Sequence, residues 1–104
     1  MIKGYYMTVG NKGFFIRTDA EKRTKHIVQC MIQQIAIYRN LCQDWIDRLM
    51  QDKQTIDQIR QNMSPAIIKT VTTDNGYKYY SIVGEYFTCN FPEEDFNKDI
   101  ILFA

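Results

Sequence analysis

The sequence predicts a single α+β domain over residues 1–104. A β-hairpin comes first, then a long amphipathic helical segment, a second antiparallel β-hairpin and a short final strand. Apolar residues alternate near both ends of the chain and recur every three or four residues in the middle, and turn-forming residues separate the alternating runs. A chain of 104 residues is also long enough to bury a core of its own.

The first β-hairpin is predicted over residues 2–17. Glycine and asparagine in residues 10–13 suit the turn, because both tolerate the positive φ of a tight reversal. Pairing Val9 with Phe14 places five apolar side chains on one face, as a core requires. These side chains are Tyr5, Met7, Val9, Phe14 and Ile16.

The helical segment is predicted to begin at Thr18, because Thr18-Asp19-Ala20-Glu21 has the pattern of a capping box. Apolar residues then follow with alternating steps of four and three, which is typical of a coiled coil. Residues 51–54 are polar on all sides, so the pattern fits one continuous helix and a helix broken near 51–54 equally well. The segment ends before Pro65, since a residue that precedes proline avoids helical dihedral angles.

The predicted helical segment is too long for a compact domain of this size. A continuous helix over residues 19–63 would span about 65 Å, whereas the radius of gyration of such a domain is about 13 Å. The helix must therefore fold back, project from the domain or pair with a second chain. The last alternative makes a homodimer one of the expected states.

The second hairpin is predicted over residues 66–89, with Asn75-Gly76 in a two-residue turn. Pairing Asp74 with Tyr77 sets Val71 opposite Tyr80. One face then carries Ile68, Tyr77, Tyr79, Val83 and Phe87, and the other carries Ile67, Val71, Tyr80, Ile82 and Tyr86. Because a helix covers only one of these apolar faces, the other must be covered by another part of the chain or used by a partner. Residues 100–103 are continuously apolar and predict a buried final strand or, alternatively, an edge strand that could pair with another chain.

Charge and cysteine content exclude several classes of protein. The formal net charge of +1 gives no overall attraction to nucleic acid or to a membrane. No run approaches the roughly 18 apolar residues of a membrane span, and the N-terminus lacks the apolar stretch of a signal peptide. Three cysteines without a Cys-x-x-Cys pair indicate neither a disulfide framework nor a zinc site. Reduced cysteines predict a cytoplasmic location.

The sequence contains no motif for catalysis. His26 and Cys30 are four residues apart and share a helix face, but a surface histidine beside a small buried cysteine explains them better, because no glycine-rich loop beside them could supply an oxyanion hole. The acidic residues Glu93, Glu94 and Asp95 fit a solvated surface, because no calcium-loop pattern surrounds them. We therefore expect a protein that is not an enzyme and has no catalytic residue, metal or cofactor.

Protein binding is the expected function. Trp45 lies in the middle of the helical segment, and Tyr77, Tyr79 and Phe87 lie on the aromatic hairpin. Tyrosine, tryptophan and phenylalanine are enriched at protein interfaces. Small tyrosine-rich proteins without catalytic motifs are frequent among phage and mobile-element products that bind and inhibit a host protein. This association gives a more specific prediction, namely that the protein is a phage or mobile-element inhibitor that binds a host protein.

Nucleic-acid binding is the alternative function. Basic residues gather around the first turn and the predicted helix start, close in sequence to Tyr5, Tyr6 and Phe15. Basic side chains neutralise phosphates while aromatic rings stack on bases. The candidate residues are Lys12, Arg17, Lys22, Arg23 and Lys25.

Overall fold

The computed structural model describes residues 1–93 and, as a strand alone, residues 100–103. The α+β class and the order of its parts are confirmed. The elements are β1 Ile2–Val9, β2 Lys12–Arg17, α1 Lys25–Tyr38, α2 Gln43–Gln51, α3 Lys53–Asn62, β3 Ser64–Thr72, β4 Lys78–Gly84, β5 Thr88–Pro92 and β6 Ile100–Phe103. The final strand lies where it was predicted, but its predicted burial falls outside the described side chains.

All described strands belong to one curled antiparallel sheet in the order β5-β4-β3-β1-β2-β6. Strand β1 pairs on one side with β2, where Tyr5 lies opposite Ile16. On its other side β1 pairs with β3, where Tyr5 lies opposite Pro65. Strand β1 therefore joins the two hairpins.

The first hairpin turns at Gly10 and Asn11, so Val9 pairs with Lys12 and Met7 pairs with Phe14. Gly10 has a positive φ of +63°, whereas the φ of Asn11 is not positive. A positive φ at the first turn position alone is the type II′ pattern, which matches the twist of the strands. The predicted register was wrong by two residues. Since side chains alternate with a period of two, the predicted apolar face is nevertheless correct.

The first helix begins at Lys25, not at the predicted Thr18. The Thr18 N–H still donates to the Lys3 carbonyl at 3.0 Å, so Thr18 extends the pairing with β1. Its hydroxyl accepts from the Ala20 N–H at 3.1 Å and forms a local turn. Thr24 is the true N-cap, and its hydroxyl accepts from the Ile27 N–H at 3.4 Å.

The helical segment is divided twice. The predicted alternative of a break near 51–54 is confirmed at Asp52, whose carboxylate accepts from the Thr55 hydroxyl at 2.7 Å and from the Thr55 N–H at 3.0 Å. These two hydrogen bonds lower the pKa of Asp52. The break at residues 39–42 was not predicted.

The unpredicted break is a Schellman motif at the end of α1. The Leu41 N–H donates to the Ala36 carbonyl at 3.1 Å, and the Asn40 N–H donates to the Ile37 carbonyl at 3.0 Å. Asn40 has a φ of +59°, the left-handed conformation that the motif requires. The three helices therefore fold back on one another, which resolves the excess length of the predicted helix.

Two apolar clusters lie on opposite sides of the sheet. The first joins the helices to β1 and β2: Tyr5, Met7, Phe14, Ile16, Ile27, Val28, Met31, Ile32, Ile35, Ile56 and Met63. The second is on the other side and brings together the two hairpins: Tyr6, Phe15, Ala66, Ile68, Ile82 and Phe91. The sheet is thus buried on both sides at β1 and β2.

The second hairpin differs from the prediction in its loop. The Gly76 N–H donates to the Thr73 carbonyl at 3.0 Å, and the Thr73 N–H donates to the Tyr77 carbonyl at 2.8 Å. Gly76 has a φ of +85°, so the loop is a three-residue turn closed by a left-handed glycine. The predicted pairing of Val71 with Tyr80 is wrong, because Val71 pairs with Tyr79. A shift of one residue exchanges the faces of β3 relative to β4.

The predicted aromatic strand ends early. The chain reverses at Glu85 and Tyr86, where the Gly84 N–H donates to the Phe87 carbonyl at 2.9 Å. Strand β5 then returns along β4 as an edge of the sheet. The Phe87 ring lies against Gly84 in the space that a β-carbon would occupy, so a larger residue here would displace the Phe87 ring.

Replacing Asn40 with valine tests the break between α1 and α2. A β-branched residue resists the left-handed conformation, so Asn40→Val should lower the free energy of unfolding by about 1–2 kcal/mol. The matched control is Asn62→Val at the exposed end of α3, where the change should stay below about 0.5 kcal/mol. Urea denaturation followed by circular dichroism measures both values. Equal changes in the two variants would contradict the Schellman assignment.

Candidate functional site

The helices cover only part of the sheet. Their apolar cluster takes its strand residues from β1 and β2 and includes none from β3, β4 or β5. On the same side of the sheet, the second hairpin presents half-buried apolar side chains without a helix over them. We call this surface the open face, and it carries Ile67, Val71, Tyr79 and Val83.

Two tyrosines mark one end of the open face. Tyr77 is 55% exposed, and its ring stacks on that of Tyr79 with 6.1 Å between centroids and 30° between planes. Tyr79 pairs with Pro92 of the edge strand β5. These residues, with Asn90 and Phe91, line a cleft of about 290 Å³. The cleft offers aromatic and proline surface together with hydroxyl and amide groups.

A larger cleft lies toward the other end of the open face. Its volume is about 540 Å³, and Pro65, Ile67 and Val83 form part of its lining. Charged residues also line it: Lys3, Asp19, Glu21 and Glu85. The open face therefore passes from an aromatic end to a charged end along β3 and β4.

The predicted site residues are only partly brought together. Tyr77 and Tyr79 lie side by side as predicted, and Val83 shares their face. Ile67 and Val71 were assigned to the opposite face, and they lie on the open face because the register differs by one residue. Placing Gly76 as the third residue of a three-residue loop would have predicted the correct register.

The prediction that Phe87 shares a face with Tyr77 and Tyr79 is wrong. The reversal at residues 85–86 puts Phe87 on the face of Gly84, where its ring packs 5.2 Å from that of Tyr6. Phe87 is half-buried against the second apolar cluster. It contributes to folding, and the open face has to be described without it.

Trp45 lies on a different surface. It belongs to the first turn of α2, is 55% exposed, and has the Arg48 guanidinium 5.7 Å from its ring centre. Helix α2 packs against α1 and α3, away from the second hairpin. Four of the seven exposed large apolar residues in the described part of the chain fall in this region, which we call the helical corner: Ile37, Tyr38, Leu41 and Trp45.

The predicted basic cluster is divided. The Lys12 ammonium lies 5.9 Å from the ring centre of Tyr38, at the turn of the first hairpin. Arg17 is at the other end of β2, about 17 Å along the strand. Tyr5, Tyr6 and Phe15 were the rings expected to stack on bases, and all three are buried. The arrangement expected for single-stranded nucleic acid is therefore not formed at these residues.

The Tyr6 hydroxyl is buried beside Cys89. Burial, and secondarily the Cys89 thiol, raise the pKa of Tyr6 to about 12. Tyr6 consequently stays uncharged at physiological pH and acts as a core residue of the second cluster. Its ring also lies against Gly13, where a β-carbon would clash with it.

The remaining groups with possible chemical roles in the described part of the chain are a cysteine–histidine pair and one acidic residue of the predicted acidic group. The Cys30 thiol lies 3.9 Å from His26 Nε2, and both belong to the first turns of α1. No three histidine, cysteine or acidic side chains converge as metal ligands among residues 1–93. Of the predicted acidic group, Glu93 is exposed, whereas Glu94 and Asp95 lie outside the described residues.

No helix within the described ranges is long and apolar enough to cross a membrane. The three cysteines are free thiols. No protein-family model, curated protein or solved structure matches the chain.

Two serine substitutions test whether Phe87 is a core residue and Tyr77 is a surface residue. Phe87→Ser should lower the free energy of unfolding by about 2 kcal/mol, because it removes apolar area and leaves a cavity beside Tyr6. Tyr77→Ser should change it by less than about 0.5 kcal/mol, because the ring is largely exposed. Urea denaturation measures both values. A larger loss for Tyr77→Ser than for Phe87→Ser would reverse the assignment of the two faces.

Proposed function

We propose that this protein is a non-enzymatic protein–protein interaction module that binds its partner through the open face, with Tyr77 and Tyr79 as anchors. The observation that carries the proposal is the incomplete helical layer. The helices bury only the β1 and β2 part of this side of the sheet. Ile67, Val71 and Val83 are left half-buried on a surface that a partner would bury further.

The tyrosine pair has the properties of an interface anchor. Tyrosine has few rotatable bonds and combines a large apolar ring with a hydroxyl group, so it is enriched among residues that dominate binding energy. The stacking of Tyr77 on Tyr79 already orders both rings in the free protein. Less side-chain entropy is then lost on binding. The adjacent cleft of about 290 Å³ offers room for a side chain of the partner.

The helical corner is a second candidate contact surface and includes the predicted anchor Trp45. Tryptophan and arginine are both enriched at protein interfaces. The seam formed by the apolar residues that recur at steps of four and three along the predicted helical segment is largely buried inside the chain, at Met31, Ile35, Ile56 and Met63. A homodimer formed through the helices would therefore use the helical corner instead of the seam.

Two more specific predictions belong to the same proposal. Inhibition of a host protein by a phage or mobile-element product follows from size and composition, and it stays a prediction. A cytoplasmic location is supported by the free thiols of Cys30, Cys42 and Cys89, which a reducing compartment maintains.

Nucleic-acid binding stays the alternative prediction. Its remaining support is that Lys22, Arg23 and Lys25 are exposed and close together in the chain. Binding of this kind weakens steeply as salt concentration rises, since it releases counterions from the phosphates. Binding through the open face depends mainly on apolar and aromatic contacts, so it should depend less on salt.

Affinity capture from an extract of the host cells tests the proposal. The double variant Tyr77→Ser/Tyr79→Ser should reduce the recovery of a specific partner at least tenfold, because both anchors are removed. The matched control is Tyr86→Ser, which removes a tyrosine that is 90% exposed on the turn between β4 and β5. Quantitative mass spectrometry measures recovery, and circular dichroism verifies folding. Equal recovery with the double variant and the control would contradict the proposal.

A further inference from the structure

Two arginine side chains are fixed next to each other where the loop before α1 meets the end of α3. Arg23 Nη1 donates to the Arg60 carbonyl at 2.6 Å and to the Met63 carbonyl at 3.1 Å. In return, Arg60 Nε donates to the Arg23 carbonyl at 3.1 Å. Each guanidinium is thus held by the main chain of the other segment, and the two positive charges cannot move far apart.

A cavity of about 440 Å³ opens beside this pair. Three cationic side chains and one carboxylate contribute to its lining. The residues are Tyr5, Glu21, Lys22, Arg23, Arg60 and Pro65. Asp57 also contacts Arg60 at 3.4 Å, but the two side chains are 50% and 35% exposed. An exposed pair of this kind is screened by solvent and offsets little of the charge.

The two guanidinium groups retain donors for a ligand. Their hydrogen bonds to described residues use Nη1 of Arg23, and Nε and Nη1 of Arg60. The Nη2 groups of both arginines have no partner among residues 1–93. Planar guanidinium forks match the oxygen spacing of phosphate, and two of them can bind different oxygens of one phosphate group.

The first turn of α1, which follows Arg23 in the chain, contains no acidic residue that would offset the positive charge of the arginine pair.

Helix capping explains only part of this arrangement. Arg23 satisfies carbonyls at the end of α3, which is a common structural role for a basic residue. That role does not require Lys22 and the Arg60 guanidinium to line the same cavity. The charges converge on one cavity and do not form a track along the surface, so they suit one compact dianion better than a nucleic-acid backbone.

We propose that this cavity binds a phosphate monoester group or free inorganic phosphate through Arg23, Arg60 and Lys22. The site is separate from the open face, and either proposal can fail without the other. The two sources of ligand share the same dianionic chemistry, and the experiment distinguishes them.

The test is a titration of ¹⁵N-labelled protein with inorganic phosphate at constant ionic strength, followed by NMR. Saturable shifts are expected in the amides of residues 22–26 and 60–63, and acetate at equal concentration should not reproduce them. Arg60→Gln should weaken phosphate binding at least tenfold, and Lys22→Gln should weaken it at least threefold. Lys78→Gln is the matched control, since it removes an exposed lysine on β4, and it should bind phosphate like the unmodified protein.

The same titration with phenyl phosphate identifies the source of the ligand. Tighter binding than that of inorganic phosphate supports a phosphorylated molecule, and equal binding supports free phosphate. Shifts that do not saturate, or that survive Arg60→Gln in a variant with an otherwise unchanged spectrum, would overturn the proposal. The proposal would also be overturned if an oligonucleotide without a terminal phosphate bound more tightly than phenyl phosphate and lost that binding in Arg60→Gln.

Discussion

The pairing of β1 with β3 is the interaction on which the rest of the structure depends. It places residues 2–6 against residues 64–68 and so connects two hairpins that are distant in the chain. The intervening chain leaves the sheet after Arg17 and must return at Ser64, two strands away on the same sheet. A single long helix cannot make this return. Three short helices, divided at Asn40 and Asp52, can do so over one side of β1 and β2.

This constraint also determines which part of the sheet the helices leave without cover. The helical layer lies over the first hairpin, while the second cluster occupies the other side of the sheet with Tyr6, Phe87 and Phe91. Within residues 1–93, the second hairpin therefore has an apolar cluster on one side and no helix over the other. Its other side ends at the paired tyrosines, and the loop and helix end near Arg23 and Arg60 lie apart from them. The proposed protein-binding surface would thus follow from one incomplete helical layer, and the proposed phosphate site from one helix junction.

The sequence predicted elements better than it predicted registers and junctions. The first hairpin kept its predicted apolar face because its register error was two residues, whereas an error of one residue in the second hairpin moved Ile67 and Val71 to the open face. The Schellman motif has a readable signal in Asn40 followed by an apolar residue. The contact between Arg23 and Arg60 has none, since it joins residues 37 positions apart. It depends on how the helices fold back, which periodicity alone does not specify.

Tyrosine nitration of the free protein, quantified by peptide mass spectrometry, tests the central claim that the open face is uncovered. The seven tyrosines provide internal standards, because Tyr5 and Tyr6 are buried and Tyr86 is 90% exposed. The structure predicts that Tyr77 reacts at a rate close to that of Tyr86, that Tyr79 reacts more slowly, and that Tyr5 and Tyr6 resist. Protection of Tyr77 to the level of Tyr5 would show that this side of the hairpin is covered in solution, and would contradict the account.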